Sequence, residues 1–178
     1  HLPFLVDEPG ADGDVGGHGT LVTHLARGNA QFRDLQAGAQ ALVIFQGPHA
    51  FISPSWYENR HTFPTWNYTA VHARGRPELI ESAEGLLDVL DRVVAQYDTP
   101  LGGPWQFRAM PADFTATRLR AIAAVRIPIA SLVGKMKLNQ DKTVADRRGV
   151  IDALQRQGDA QSLAVADLIR AQPDMQAA

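Results

Sequence analysis

The chain has 178 residues, 45% of them hydrophobic and 20% charged, the composition of an ordinary folded domain long enough to bury a core. A formal net charge of -2 gives no electrostatic basis for a dedicated nucleic-acid binder, and the absence of cysteine excludes disulfides, thiolate nucleophiles, zinc–thiolate sites and iron–sulfur clusters. Lack of cysteine also fits a cytoplasmic protein, and no apolar run in the sequence approaches the length of a membrane span.

The opening HLPFLVD begins without Met and is already strand-like, which leads us to expect that an N-terminal segment is missing. Residues 2–6 read as the end of a strand and residues 19–26 (GTLVTHLA) as another, joined by the Gly- and Asp-rich DEPGADGDVGGHG. Asp12-Gly13-Asp14 has a calcium-loop look but lacks the bidentate Glu at the right spacing, so a solvated loop is the expectation. Residues 29–36 (NAQFRDLQ) read as a short helix with Asn29 as N-cap and Phe32 and Leu35 inward. Residues 40–46 (QALVIFQ) form an apolar strand, with a turn at Gly47-Pro48 and a continuation over residues 50–53.

Residues 66–74 alternate, with Trp66, Tyr68, Ala70 and His72 on one face, taken as the packed one, and Asn67, Thr69, Val71 and Ala73 on the other. Residues 77–80 add a short strand. Residues 82–97 form the clearest helix, capped by Ser82, with Leu86, Leu90, Val93 and Tyr97 at helical spacing. A loop and a helix over residues 112–121 follow, with Phe114 and Leu119 inward. Val125, Ile127 and Ile129 then alternate with Arg126, Pro128 and Ala130, a strand whose proline favours an edge or bulge. LVGKMKLNQ places Met136 and Leu138 on one face and Lys135, Lys137 and Asn139 on the other. Residues 144–154 and 160–171 read as two helices separated by Gly158 and an N-cap at Asp159, the second stopped by Pro173. Strands that come mostly first, with helices inserted and appended, indicate an α+β protein built on an antiparallel barrel.

No G-x-S-x-G elbow surrounds Ser53 or Ser55, for which turn capping is the plain reading, and the histidines lack H-x-x-x-H or H-x-H spacing, so no metal site is expected. In THLARGNAQF, His24 and Arg27 lead into a helix N-terminus at Asn29, where free N–H groups and a guanidinium favour phosphate. The plainer reading, a solvated Arg27 and a capping Asn29, stands ahead on these residues alone. Lys135 and Lys137 beside Asn139 and Gln140 pose the same choice between a wet strand face and an anion site.

SPSWYENRHTFPTWNYTAVHARG gathers Trp56, Tyr57, Phe63, Trp66 and Tyr68. Core packing claims some of them, Tyr68 first. A nucleic-acid stacking platform lacks its basic groove, and the interleaved polar residues favour a flat ligand or a subunit interface.

The blocks HLPFL, THLARGN, ALVIFQGPHAFISPSWY, FPTWNYTAVHARG, IPIASLVGKMKLNQ and ADRRGVIDAL occur in an order that resembles the PaiB family of FMN-binding negative transcriptional regulators. The likeness runs from residue 1 to about residue 154, with Asn139 where the family's KLSQN pattern carries serine. It implies a split β-barrel of the pyridoxamine-phosphate-oxidase and flavin-reductase type over residues 1–140, a C-terminal helical appendage over residues 141–178, and a homodimer with FMN in interface grooves. Under it, His24, Arg27 and Asn29 become candidates for the FMN phosphate. Ser53, Ser55 and Trp56 would border the flavin, Thr65, Trp66 and Asn67 would form the groove or dimer contact, and Lys137 and Gln140 would contribute beside them. The family role implied is regulation of degradative-enzyme or sporulation genes. The alternative on the same barrel is a flavin-dependent oxidoreductase or haem-handling enzyme. No basic recognition helix supports direct DNA binding.

Overall fold

The computed structural model describes residues 1–10 and 17–176; the Asp12-Gly13-Asp14 triplet lies outside the described residues. Its strands are β1 (Leu5–Asp7), β2 (Thr20–Ala26), β3 (Ala41–Ile52), β4 (Thr65–Gly75), β5 (Glu78–Ile80) and β6 (Ile122–Lys137). Its helices are α1 (Gln31–Gln36), α2 (Ala83–Val93), α3 (Ala112–Leu119), α4 (Val144–Gln157), α5 (Ala160–Arg170) and α6 (Pro173–Gln176). The sheet follows the order β1-β2-β6-β4-β3, with β5 also pairing β6, and among the described residues this path is open, with β1 and β3 at its ends. The α+β class and the antiparallel sheet expected from the sequence are both present. The chain divides into two units, His1–Val43 with Ala73–Leu132, and Ile44–His72 with Val133–Ala178.

In the first unit, β2 pairs antiparallel with β6 from Thr20 opposite Pro128 to Ala26 opposite Ile122, and β1 adds to the other side of β2. Period-two alternation divides the side chains of this ladder between two clusters. Leu21, Leu25, Ala123, Val125 and Ile127 pack with Phe32 of α1, while Val22 and Ala124 pack with Leu86 and Val89 of α2. Helix α2 begins as expected, Ser82 Oγ accepting from Gly85 N at 3.1 Å, but it ends at Val93 and passes into a π-helical turn, Val94–Asp98. Tyr97 thus leaves the helical stripe and donates its hydroxyl to Phe4 O at 2.7 Å.

Two expectations fail here for physical reasons. Pro128 sits in a strand flanked by β2 and β4, not at an edge. Ile129 N donates to Gly19 O at 3.0 Å, which makes Thr20 and Pro128 a non-hydrogen-bonded pair, so the missing N–H costs the β2 ladder nothing. Phe114, expected inward, is 47% exposed, whereas Leu119 does pack beside the α2 cluster.

In the second unit, the expected turn at Gly47-Pro48 is absent and β3 runs straight through it. The glycine is needed for proximity, not for turning: a Cβ at residue 47 would fall inside contact distance of Thr69 Oγ1 on β4. The core gathers Ile52, Leu138, Val150, Leu154, Val165 and Ile169, all fully buried, together with the buried ring of Tyr57. Burying each aliphatic side chain contributes about 1.5–3 kcal/mol. Helices α4 and α5 form the expected hairpin: Thr143 Oγ1 caps Asp146 N at 3.1 Å, and Asp159 Oδ1 accepts from Gln161 N and Ser162 N, each at 3.0 Å.

At the start of β4 the packed face is the reverse of the expected one. Asn67 is fully buried, Tyr68 only half-buried, and Trp66 is 47% exposed. Met136 likewise parts from Leu138, being exposed where Leu138 is fully buried, because the strand ends at Lys137 and the chain turns at Asn139, whose φ is 61°.

Candidate functional site

The candidate residues fall into two groups, one in each unit. In the first, the chain leaves β2 at Ala26 and is pinned to the start of β6: Arg27 N donates to Ala121 O and Arg27 Nε to Ile122 O, both at 2.9 Å. The Arg27 guanidinium lies over the Phe32 ring at 5.2 Å, and among the described residues no acceptor meets its two Nη atoms. The side chain is therefore held at its base and along one face, with its outer edge open for a bidentate anion.

Asn29 is not the residue at the start of α1. That position is Ala30, and Asn29 Oδ1 instead closes a turn on Gln31 N at 3.0 Å. Helix α1 has only six residues, so its dipole adds little. His24 is placed differently from Arg27. It stands opposite Ala124 and beside Val22, on the α2 side of the ladder, whereas Phe32 packs on the other face. Burial pushes the His24 imidazole below its ordinary pKa, and its Nδ1 is enclosed without a partner among the described residues. His24 and Arg27 do not converge.

In the second unit three distant segments meet. Ser53 Oγ accepts from Ser55 N at 3.2 Å and opens a one-turn 3-10 helix, Pro54–Trp56. This is the turn-capping role, and Ser55 itself is exposed. Trp56 packs half-buried against the core, and helix α4 comes so close that a Cβ at Gly149 would strike Trp56 O. From β4, Asn67 Nδ2 donates to Asn139 Oδ1; Asn139 Nδ2 in turn donates to Tyr57 Oη at 2.6 Å. Lys137 Nζ donates to Thr65 Oγ1 at 2.5 Å. The side chain of Gln140 is consumed within its own turn, accepting from Leu138 N at 2.7 Å and donating to Met136 O at 2.9 Å.

Thr65, Asn67 and Lys137 are thus brought together, with Trp56 carried on the turn that the network fixes through Tyr57. Trp66 points away from the network and stacks on His49, ring centroids 5.4 Å apart and planes 28° inclined. His49 is the residue that sequence reasoning left out of the site; Tyr57 and Asn139 entered it only as one ring of the aromatic stretch and one amide beside the lysines. Burial holds the Tyr57 phenol above its ordinary pKa, so it remains a neutral donor and acceptor. The signal for Asn139 was in its type: asparagine is among the few non-glycine residues that tolerate the left-handed region.

The network leaves one valence open. Asn67 Oδ1 is buried and has no hydrogen-bond partner among the described residues. Such an acceptor calls for an N–H or O–H donor, and a heteroaromatic ring with an imide N–H would supply it. The half-exposed Trp66 ring with its His49 neighbour offers a flat apolar surface in the same unit. Lys137, in the same unit, is a cation with the chemistry for phosphate. A flavin mononucleotide carries these recognition elements: a flat ring, a donor N–H and a phosphate.

Among the described residues no group of three or more His, Asp or Glu is placed to hold a metal ion, and no helix is long and apolar enough to cross a membrane.

Comparison with known proteins points the same way. Residues 1–131 match the model of the family described as "Putative FMN-binding domain". The chain is 33% identical over 152 residues to the Bacillus subtilis "Protease synthase and sporulation protein PAI 2", covering 85% of this chain and 72% of that protein. It is 26% identical over 205 residues to an uncharacterized protein of Emericella nidulans, covering 98% and 82%. Among solved structures, the FAD and heme binding protein of Mycobacterium smegmatis is 22% identical, with a TM-score of 0.47, covering 82% of this chain and 62% of that one. The chain therefore belongs to the PaiB family of FMN-binding domain proteins.

Proposed function

We propose that this chain is a cytoplasmic homodimer that holds FMN and acts in negative regulation of gene expression, with Thr65, Trp66, Asn67 and Lys137 of the second unit as the principal FMN contacts. The observation that carries the binding part is the buried, unpartnered Asn67 Oδ1 at the end of a network that fixes every other polar atom in it. Ser53 and Gln140 support the site by holding the turns that carry Trp56 and Lys137. Ser55 stands at its margin. When bound, FMN supplies one- and two-electron chemistry; the protein's part is to orient and enclose it.

The dimeric part rests on the exposed apolar residues Ile44, Val133 and Met136 of the second unit. The regulatory part is suggested by the name of the Bacillus relative, and a net charge of -2 favours action through a partner over direct reading of DNA. A gel-shift salt series measures direct binding. The second reading, a flavin-dependent oxidoreductase, is favoured by the exposure of Trp66, which leaves an open aromatic face on β4. Stopped-flow reduction by NADH or NADPH separates the two.

The decisive experiment is heat release of the purified protein's chromophore and its absorption spectrum, followed by FMN titration of the stripped protein. We expect a flavin spectrum, and an FMN affinity about tenfold lower in Asn67→Ala and in Lys137→Ala. A colourless protein that takes up no added FMN would overturn the proposal.

A further inference from the structure

The first unit contains a cavity of about 370 Å³ between α2 and α3, and none of the residues lining it is among the flavin candidates. Its walls are Leu90 of α2, Trp105, Phe107 and Met110 of the connecting segment, and Phe114 of α3. Trp105 and Phe114 are half-exposed, 50% and 47%, although large aromatics are normally spent on the core. The volume lies in the range of small-molecule sites.

The polar features of the cavity are few and differ in kind. Thr115 Oγ1 is already committed, donating to Pro111 O at 3.1 Å. Arg118 lies over the Phe114 ring at 5.0 Å, and among the described residues no carboxylate pairs with it. The contrast is Arg108 nearby, which grips both carboxylate oxygens of Asp91. An apolar, aromatic-walled cavity with one uncommitted guanidinium is complementary to an organic anion: the walls take a flat or chain-like hydrocarbon body, and the fork of Arg118 takes a carboxylate.

We propose that this cavity binds a small monocarboxylate with an aromatic or short acyl body, held by Arg118 and stacked between Trp105 and Phe114. None of the lining residues is among the proposed FMN contacts, so a ligand there gives the FMN-loaded protein a second chemical input.

Calorimetric titration of the FMN-loaded protein with 3-phenylpropanoate and with its neutral amide tests this. The carboxylate is expected to bind about tenfold more tightly than the amide, the worth of a charge-assisted pair. Arg118→Gln should bring the carboxylate down to the affinity of the amide, and Arg118→Lys should restore part of the difference. Equal binding of the two compounds, no binding of either, or undiminished carboxylate binding in Arg118→Gln would overturn the proposal. So would displacement of the carboxylate by added FMN. If Arg118→Gln does not fold, the comparison of carboxylate with amide on the unaltered protein still decides. A change of oligomeric state in Phe114→Asp would show the surface to be a contact between copies and would likewise end the proposal.

Discussion

Asn67 and Asn139 meet side chain to side chain in full burial, the amide N–H of Asn67 donating to the carbonyl oxygen of Asn139. Asn139 passes the connection on to Tyr57, and does so from a left-handed backbone conformation at φ 61°. One residue therefore turns the chain after β6, satisfies β4, and fixes the segment that follows β3.

Replacing Asn139 separates these duties. Asn139→Ala removes both hydrogen bonds, leaves Asn67 and Tyr57 unsatisfied, and keeps a side chain at positive φ; we expect a loss of about 3 kcal/mol. Asn139→Gly loses the same bonds but relieves the backbone, and should be about 1 kcal/mol less damaging. Urea unfolding of the two variants side by side measures the difference; equal midpoints would show that the backbone carries no strain at this position.

Gly149 reverses an ordinary rule. Glycine inside a helix usually costs about 1 kcal/mol relative to alanine. Here a Cβ would strike Trp56 O, so Gly149→Ala should destabilise by about 3 kcal/mol despite the better helix propensity. Thermal melts of the variant decide the sign, and a raised midpoint would mean that the turn at residues 54–56 yields easily.

Arg147 and Asp174 predict an acid sensitivity. The Arg147 side chain is 3% exposed, and it donates to Gln172 Oε1 at 2.6 Å and to both carboxylate oxygens of Asp174. The hydrogen bond from Arg147 holds the Asp174 carboxyl below its ordinary value. A depressed folded-state pKa adds stability above the unfolded value of about 3.9, and that stability is lost as pH falls through the folded value. The urea midpoint of the unaltered protein should therefore fall below about pH 4 more steeply than that of Asp174→Asn, whose midpoint is already lower at neutral pH.

Dimerisation through the second unit has a direct check. Ile44, Val133 and Met136 are each more than half exposed, at 56%, 52% and 56%. Met136→Asp places a charge among them and should convert a dimer to a monomer at micromolar concentration in sedimentation velocity, with the thermal midpoint of the isolated chain little changed. A dimer that survives this substitution and Ile44→Asp would assign the interface elsewhere.

The sequence carried most of the elements and part of the site. Alternation, helical spacing and one capping residue located β2, β6, α4 and α5, because Val125–Ile127–Ile129 and the Asp159 cap act locally. Gly47-Pro48 misled because a glycine required by a neighbouring strand looks the same in sequence as one required by a turn. The face of β4 was misread for a related reason: a buried Asn67 is stable only when a partner 72 residues away supplies its hydrogen bond, and no local pattern announces that partner. Pairing of Lys137 with Thr65 was hidden in the same way. Family resemblance, in contrast, needed only the order of motifs, and it led to the right family without resolving which polar atoms are spent on turns and which remain free.

The tie between Arg147 and the short helix Pro173–Gln176 bears on the order in which the chain can finish folding as it is synthesised. All of the first unit has been translated once Leu132 has emerged, whereas the second still awaits α4, α5 and the carboxylate at residue 174. Until that carboxylate arrives, the guanidinium of Arg147 has nowhere to settle out of water. The second unit is completed only once the turn at residues 173–176 has been made, and a product truncated before it would present quality-control proteases with an unfinished core.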